Sequence, residues 1–175
     1  MALNAQINLS IIAQETSAGD ISRTMRATPV SYSVGLTDGT GANQAQIAWS
    51  DSRTISGTEE TLSLASLPDV RDGASVTVGI TSVNVLYVKN THATATVLLG
   101  STSAGTFAAS HFVGMPANKI PAGAQGYALP PGAAILISVP TQLGLTTLAG
   151  QQFTVGSSTA GATYDIVIVG RGSVS

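Results

Sequence analysis

Hydrophobic and polar positions alternate with a period of two along most of the chain. Leu3, Ala5, Ile7, Leu9, Ile11 and Ala13 fall on one side of an extended segment, and Asn4, Gln6, Asn8, Ser10 and Gln14 on the other. That is the pattern of a half-buried strand, or of an arm laid on an apolar surface, and only Ile12 breaks it. Residues 16–29 carry Ser17-Ala18-Gly19-Asp20 and two arginines. They read as a connection with one helical turn after Asp20. Strands are predicted at 30–36, 45–54 and 61–64, the first two separated by a hairpin or loop signal, Thr37-Asp38-Gly39-Thr40-Gly41.

Punctuation returns at Leu67-Pro68-Asp69-Val70-Arg71-Asp72-Gly73, after which 76–80 and 83–90 are predicted as a closely spaced pair of strands. Val85, Leu86, Tyr87 and Val88 are consecutive, so both faces of that second strand are apolar and it belongs in the centre of a sheet. A strand at 94–99 follows, then a looser region over 100–126, then a strand at 133–139 opened by Leu129-Pro130-Pro131-Gly132. Segments 152–155 and 163–169 read as a closing hairpin around Gly156-Ser157-Ser158-Thr159-Ala160-Gly161. About ten short strands with regular turn signals and no amphipathic helix predict an all-β domain. Strands apolar on both faces need a layer on each side, which favours a jelly-roll-like β-sandwich over a single sheet. The expected organisation is an N-terminal strand or arm with its connection over 1–29, then one β-sandwich domain over 30–175. Val85, Tyr87, Ile135, Ile137, Ile166 and Ile168 are expected to share its core.

Composition sharpens this picture. The 175 residues are 43% hydrophobic but only 9% charged, against about 25% for an ordinary soluble domain. Ser, Thr and Gly number 20, 21 and 19, so the surface is built from hydroxyls and backbone. Disorder is excluded, because it requires low hydrophobicity with high charge. Seven basic against nine acidic residues leave no basic patch to displace counterions, so nucleic acid is not an expected partner. Cysteine is absent, which removes disulfides and thiolate metal sites. The first residues lack a basic segment followed by an apolar core, so no signal peptide is predicted. The uncharged stretch 132–150 has an apolar core of strand length only, 133–139, so no membrane span is predicted either.

Candidate chemistry is sparse. His92 falls in a predicted turn and His111 precedes Phe112 and Val113, and the two have no metal-ligand spacing. No Gly-x-Ser-x-Gly elbow and no phosphate loop is present. Glu59 and Glu60 are adjacent, so on a strand they face opposite sides and do not form an acid/base pair. Asp38, Asp69 and Asp72 are potential calcium ligands by chemistry, but they lie in turns, where aspartate serves local hydrogen bonding. Trp49, Tyr32, Tyr87, Tyr127 and Tyr164 are candidates for a sugar platform, with core packing the plainer role on apolar strands. The chain is therefore read as non-enzymatic, with no catalytic, cofactor or metal residues.

Between Lys119 and Asp165 lie 45 consecutive residues without a charge. A near-neutral surface of that kind promotes association. Hydroxyl and amide groups can be buried against another chain without the desolvation cost of lysine or glutamate. The alternating N-terminal strand suits the same end, by adding to a neighbour's sheet edge. Leu3, Ile7, Leu9 and Ile11 are thus candidate partner-interface residues over a contact segment of residues 1–14. Arg23 and Arg26 are candidate charged anchors, the alternative being two solvated loop arginines.

The run Leu36-Thr37-Asp38-Gly39-Thr40-Gly41-Ala42-Asn43-Gln44-Ala45, followed by Trp49-Ser50-Asp51-Ser52-Arg53-Thr54, resembles small structural proteins of tailed bacteriophages. So do Leu86-Tyr87-Val88-Lys89-Asn90-Thr91, Leu129-Pro130-Pro131-Gly132 and Tyr164-Asp165-Ile166-Val167-Ile168-Val169-Gly170-Arg171, in that order. The resemblance covers most of the chain from residue 36 and implies a jelly-roll virion protein assembled in the host cytoplasm. The favoured function is a capsid cement or decoration protein, a homo-oligomer (trimer favoured) bound to the major capsid protein or other virion proteins. The alternative is a tail- or fibre-associated module that binds host glycan. No catalytic residue is carried over.

Overall fold

The computed structural model describes residues 2–17, 23–26, 29–71, 73–100, 112–113, 127–141, 144–147 and 152–175. Among them the period-two pattern becomes strands and no helix. The strands are β1 (Asn4–Ile11), β2 (Gln14–Ser17), β3 (Arg23–Arg26), β4 (Val30–Asp38), β5 (Gln44–Ala45), β6 (Ile47–Thr54), β7 (Glu59–Ser63) and β8 (Leu67–Arg71). They continue with β9 (Ala74–Asn90), β10 (Val97–Leu99), β11 (Phe112–Val113), β12 (Tyr127–Leu129), β13 (Ala134–Ser138), β14 (Leu145–Thr147), β15 (Gln152–Ser157) and β16 (Thr163–Val174).

Two sheets form the body. The larger runs β11-β14-β9-β16-β6, with β8 and β13 also paired to β9, and the smaller runs β12-β10-β15-β7. β16 lines one edge of β9 from Val78 to Asn90, while β8, β14 and β13 follow one another along the other. The two sheets close over one core that includes Trp49, Leu62, Leu86, Val88, Val97, Phe153, Tyr164, Ile166 and Ile168. Among the described residues the strand pairings of the body are antiparallel, with one isolated parallel bridge, Gly100↔Val155, and the architecture is an all-β sandwich.

A third layer covers the outer face of the larger sheet. β1 pairs antiparallel with β4 over its whole length, from Asn4↔Thr37 to Ile11↔Val30, and β5 joins β4 in parallel. Leu36 and Ala45 of this layer pack on Val85 and Val169, with Leu3, Ala5, Ile7, Val34, Ala48, Leu136 and Val167 around them. β4 thus belongs to the N-terminal ribbon rather than to either sandwich sheet.

Four expectations are corrected by this arrangement. Segments 76–80 and 83–90 are not a pair but one strand of 17 residues, because Thr81-Ser82 lacks the Gly, Asn or Asp that a two-residue hairpin turn requires at positive φ. That strand instead bulges against β16, with Asn84 as the extra residue opposite the Val169–Gly170 step and Thr81 opposite the Arg171–Gly172 step. Glycine is required at both: a Cβ on Gly170 would strike the Ser82 carbonyl oxygen, and one on Gly172 that of Gly79. Gly73, at φ +79°, lies in the tight connection between β8 and β9, whose ends pair Arg71↔Ala74.

The closing pair, β15 and β16, is not a hairpin. β15 pairs with β7 and β10 and β16 with β6 and β9, so the turn between them carries the chain from one sheet to the other. Residues 16–29 are not merely a connection, since β2 and β3 pair within them, Gln14↔Arg26 to Ser17↔Arg23. The helical turn expected after Asp20 begins at residues outside those described. Finally, Val85 and Tyr87 leave the inner core. Leu86 and Val88 are in register with Ile168 and Ile166, so period two turns Val85 and Tyr87 to the outer face. Ile135 and Ile137 pack against the inner core as half-buried residues.

Candidate interaction surface

The β1–β4 ribbon is amphipathic on strict alternation. Leu3, Ala5, Ile7, Leu9 and Ile11 share a face with their cross-strand neighbours Val30, Tyr32, Val34 and Leu36. The opposite face carries Asn4, Gln6, Asn8, Ser10, Ser31, Ser33 and Thr37. On it the Ser33 hydroxyl donates to Asn8 Oδ1 at 2.8 Å, across a register pair.

Burial along the apolar face is graded. Leu36 is fully buried, Leu3, Ala5, Ile7 and Val34 are half-buried, and Tyr32 and Leu9 are 39% and 46% exposed. Ile11 and Val30 reach 57% and 65%. The ribbon therefore rests on its own sheet at the root and overhangs it beyond, with the same chemistry on both halves. The Tyr32 hydroxyl, donating to Ser138 Oγ at 3.0 Å, marks the far edge of its support. β2 and β3 prolong the hairpin past this point.

Beneath the ribbon is a gap of about 790 Å³. Its floor is Val85, Tyr87, Leu136 and Val167 of the larger sheet, and its roof is Ala5, Ile7 and Leu9. No lining side chain is charged.

The predicted interface residues thus divide. Leu3 and Ile7 are half-buried within the chain, and Leu9 and Ile11 stand exposed on the overhang. Arg23 and Arg26 fall on β3, but their side chains lie outside the described residues. Val30 and Tyr32 join Leu9 and Ile11 on the overhang, and the sequence pattern had assigned them to the body. The signal was present in the alternation Val30, Tyr32, Val34, Leu36; the missing fact was their partner strand.

Among the described residues, one cluster of titratable groups joins the two sheets. Arg53 Nε donates to Glu60 Oε1 at 2.9 Å and Arg53 Nη1 to Asp51 Oδ2 at 2.7 Å, while the Tyr164 hydroxyl donates to Glu60 Oε2 at 2.8 Å. The Glu60 hydrogen bond holds the Arg53 pKa above its ordinary value. Burial, then the bond to Glu60, pushes the Tyr164 hydroxyl well above the usual tyrosine range. Arg53 and Tyr164 lie on the larger sheet and Glu60 on the smaller, so the cluster ties the two sheets together.

Other candidates have local duties. His92 Nδ1 accepts from the Ala95 and Thr94 amides at 2.8 and 3.2 Å, which fixes the turn after β9. Asp38 accepts from the Leu3 amide and Asp69 from Arg71. Trp49 is a core residue whose indole donates to the Pro68 carbonyl, and Tyr127 is exposed on β12, an edge strand. His111 and Asp72 lie outside the described residues. Among those described, no three His, Asp or Glu side chains converge as a metal site. Comparison of the chain with protein-family models, with curated proteins and with solved structures gives no match.

Proposed function

We propose that the protein is a non-enzymatic structural subunit of a virion, a capsid cement or decoration protein acting as a homo-oligomer on the major capsid lattice. Its body is read as jelly-roll-like, because the chain passes repeatedly between the two sheets, as from β6 to β7, β9 to β10 and β15 to β16. The observation that carries the reading is the ribbon: an apolar face continuing beyond the body that covers its root. A solitary protein has no use for an overhanging hydrophobic arm, which is an association liability. The body supports the same reading. The exposed residues of β12 and the turn after it, Tyr127, Ala128, Pro130, Pro131 and Gly132, belong to the 45-residue stretch without charge.

The mechanism is burial of uncharged surface at junctions between capsid subunits. Apolar contact and hydroxyl or amide hydrogen bonds supply the attraction, with little Coulombic contribution. Counting copies per purified particle tests the assignment. Lattice repetition gives hundreds of copies, whereas a closed tail assembly gives roughly a few to a few tens. The lower number would move the protein to the tail or fibre, where glycan binding is the corresponding function. Ionic strength tests the mechanism. At about 1 M salt the screening length falls to roughly 3 Å, and the protein is expected to stay on the particle. Release by salt alone would overturn contacts of this kind.

A further inference from the structure

We infer that the overhanging half of the β1–β4 ribbon docks on the outer sheet face of a second copy of this chain, each copy giving one arm and receiving one. The inference deepens the assembly-subunit reading and rests on it, naming the occupant of the arm's free face.

Continuity is the first support. The apolar stripe is one surface, and its root half is already buried against Val85, Leu136, Val167 and Val169 of the larger sheet. The free half, Leu9, Ile11, Val30 and Tyr32, has the same alternation and the same aliphatic and aromatic chemistry. A surface that fits the root fits the overhang, and the chain itself supplies that surface in every other copy.

The receiving site is the second support. Tyr87 and Leu136 are half-buried beneath the ribbon and line the gap of about 790 Å³, which Ala5, Ile7 and Leu9 above it leave unfilled. Strand pairing from Asn4 to Ile11 holds the ribbon in its present course, so its own overhang does not fold back to fill that space. Arm and gap are both uncharged at the described side chains, so joining them strands no unpaired ion.

Area is the third. The fractional exposures of Leu9, Ile11, Val30 and Tyr32 correspond to about 400 Å² of arm surface, within the range of the largest patch on a monomer. Two arms contribute roughly 800 Å² by themselves, half of a standard specific interface of roughly 1,600 Å² before the receiving faces are added. In a three-copy ring each junction holds one arm on one face, repeated three times.

The chain contains no cysteine, which makes cross-linking unambiguous. Full-length Ile11→Cys and Tyr87→Cys proteins are mixed, oxidised and run without reductant. A covalent dimer formed by the mixture, in clear excess over either protein alone, is the expected result. Absence of the mixed product, or disulfide dimers from Ile11→Cys alone in equal amount, overturns arm-to-body docking. In parallel, sedimentation of the unmodified chain is expected to give two or three times the monomer mass. The double variant Ile11→Asp/Val30→Asp is expected to sediment as a monomer with an unchanged unfolding midpoint. A monomeric unmodified chain at tens of micromolar, or an oligomer that survives the double variant, refutes the inference. Failure of the virion reading is seen separately: a self-associating chain that never joins particles removes that reading and leaves this one standing.

Discussion

Replacing Ile166 by alanine tests the layer assignment at its centre. Ile166 is fully buried on β16, in register with Val88 on one side and Asp51 on the other, and it points between the two sandwich sheets. The substitution removes three carbons, worth about 2.4 kcal/mol at roughly 0.8 kcal/mol each. The neighbours are held by strand pairing on both sides and close in only partly. A residual cavity of about 50 Å³ at roughly 24 cal/mol per Å³ adds about 1.2 kcal/mol. The expected loss is therefore about 3.5 kcal/mol. Urea unfolding followed by circular dichroism measures it. With a slope of about 2 kcal/mol per molar, the midpoint falls by roughly 1.7 M at unchanged slope.

The adjacent Val167→Ala is the internal control. Val167 points the other way, half-buried over the gap beneath the ribbon, so it removes less material from looser surroundings. Its expected loss is under about 1.5 kcal/mol, following the transfer term alone. Equal losses at the two positions, or an Ile166→Ala midpoint within about 0.3 M of the parent at the slope used above, would refute the separation into a tight inner core and a partly filled outer layer.

Two further predictions concern β16. Gly170→Ala drives a Cβ into the Ser82 carbonyl of β9, and backbone has no rotamer by which to yield, so a loss of at least about 3 kcal/mol or insoluble protein is expected. Gly35→Ala, whose Cβ meets nothing within 4 Å, is expected to be neutral or to gain up to about 1 kcal/mol in the same unfolding assay. Tyr164 has a folded pKa raised above its unfolded value, so the stability from its neutral form is complete below about pH 10 and declines as pH rises beyond that. Unfolding midpoints measured from pH 8 to 11 (bracketing the ordinary tyrosine pKa of about 10) are expected to fall less steeply for Tyr164→Phe; identical slopes would show that the hydroxyl is not held neutral by the fold.

The sequence alone determined the class of structure and the faces of most strands. Period two is a local property, since successive side chains on an extended backbone point oppositely whatever they later touch. Hence the all-β class and the two faces of the N-terminal strand were legible, as was the central place of the strand ending at Asn90. The same holds for the apolar face that Leu9 and Ile11 share on β1. What alternation does not encode is which strand lies beside which. The pairing of β1 with β4 is decided by the sheet face on which Leu36 and Ala45 come to rest, and that face includes Val169, 133 positions beyond Leu36. The parting of β15 from β16 is likewise a long-range choice: each finds its partners in a different sheet, though the turn between them has hairpin chemistry. Tyr87 and Leu86 are both apolar, and only the register with Val167 and Ile168 sets one over the gap and the other in the core. The overhang is decided last, because it is a difference in length between a ribbon and the sheet beneath it, and neither length is written in the residues of the other.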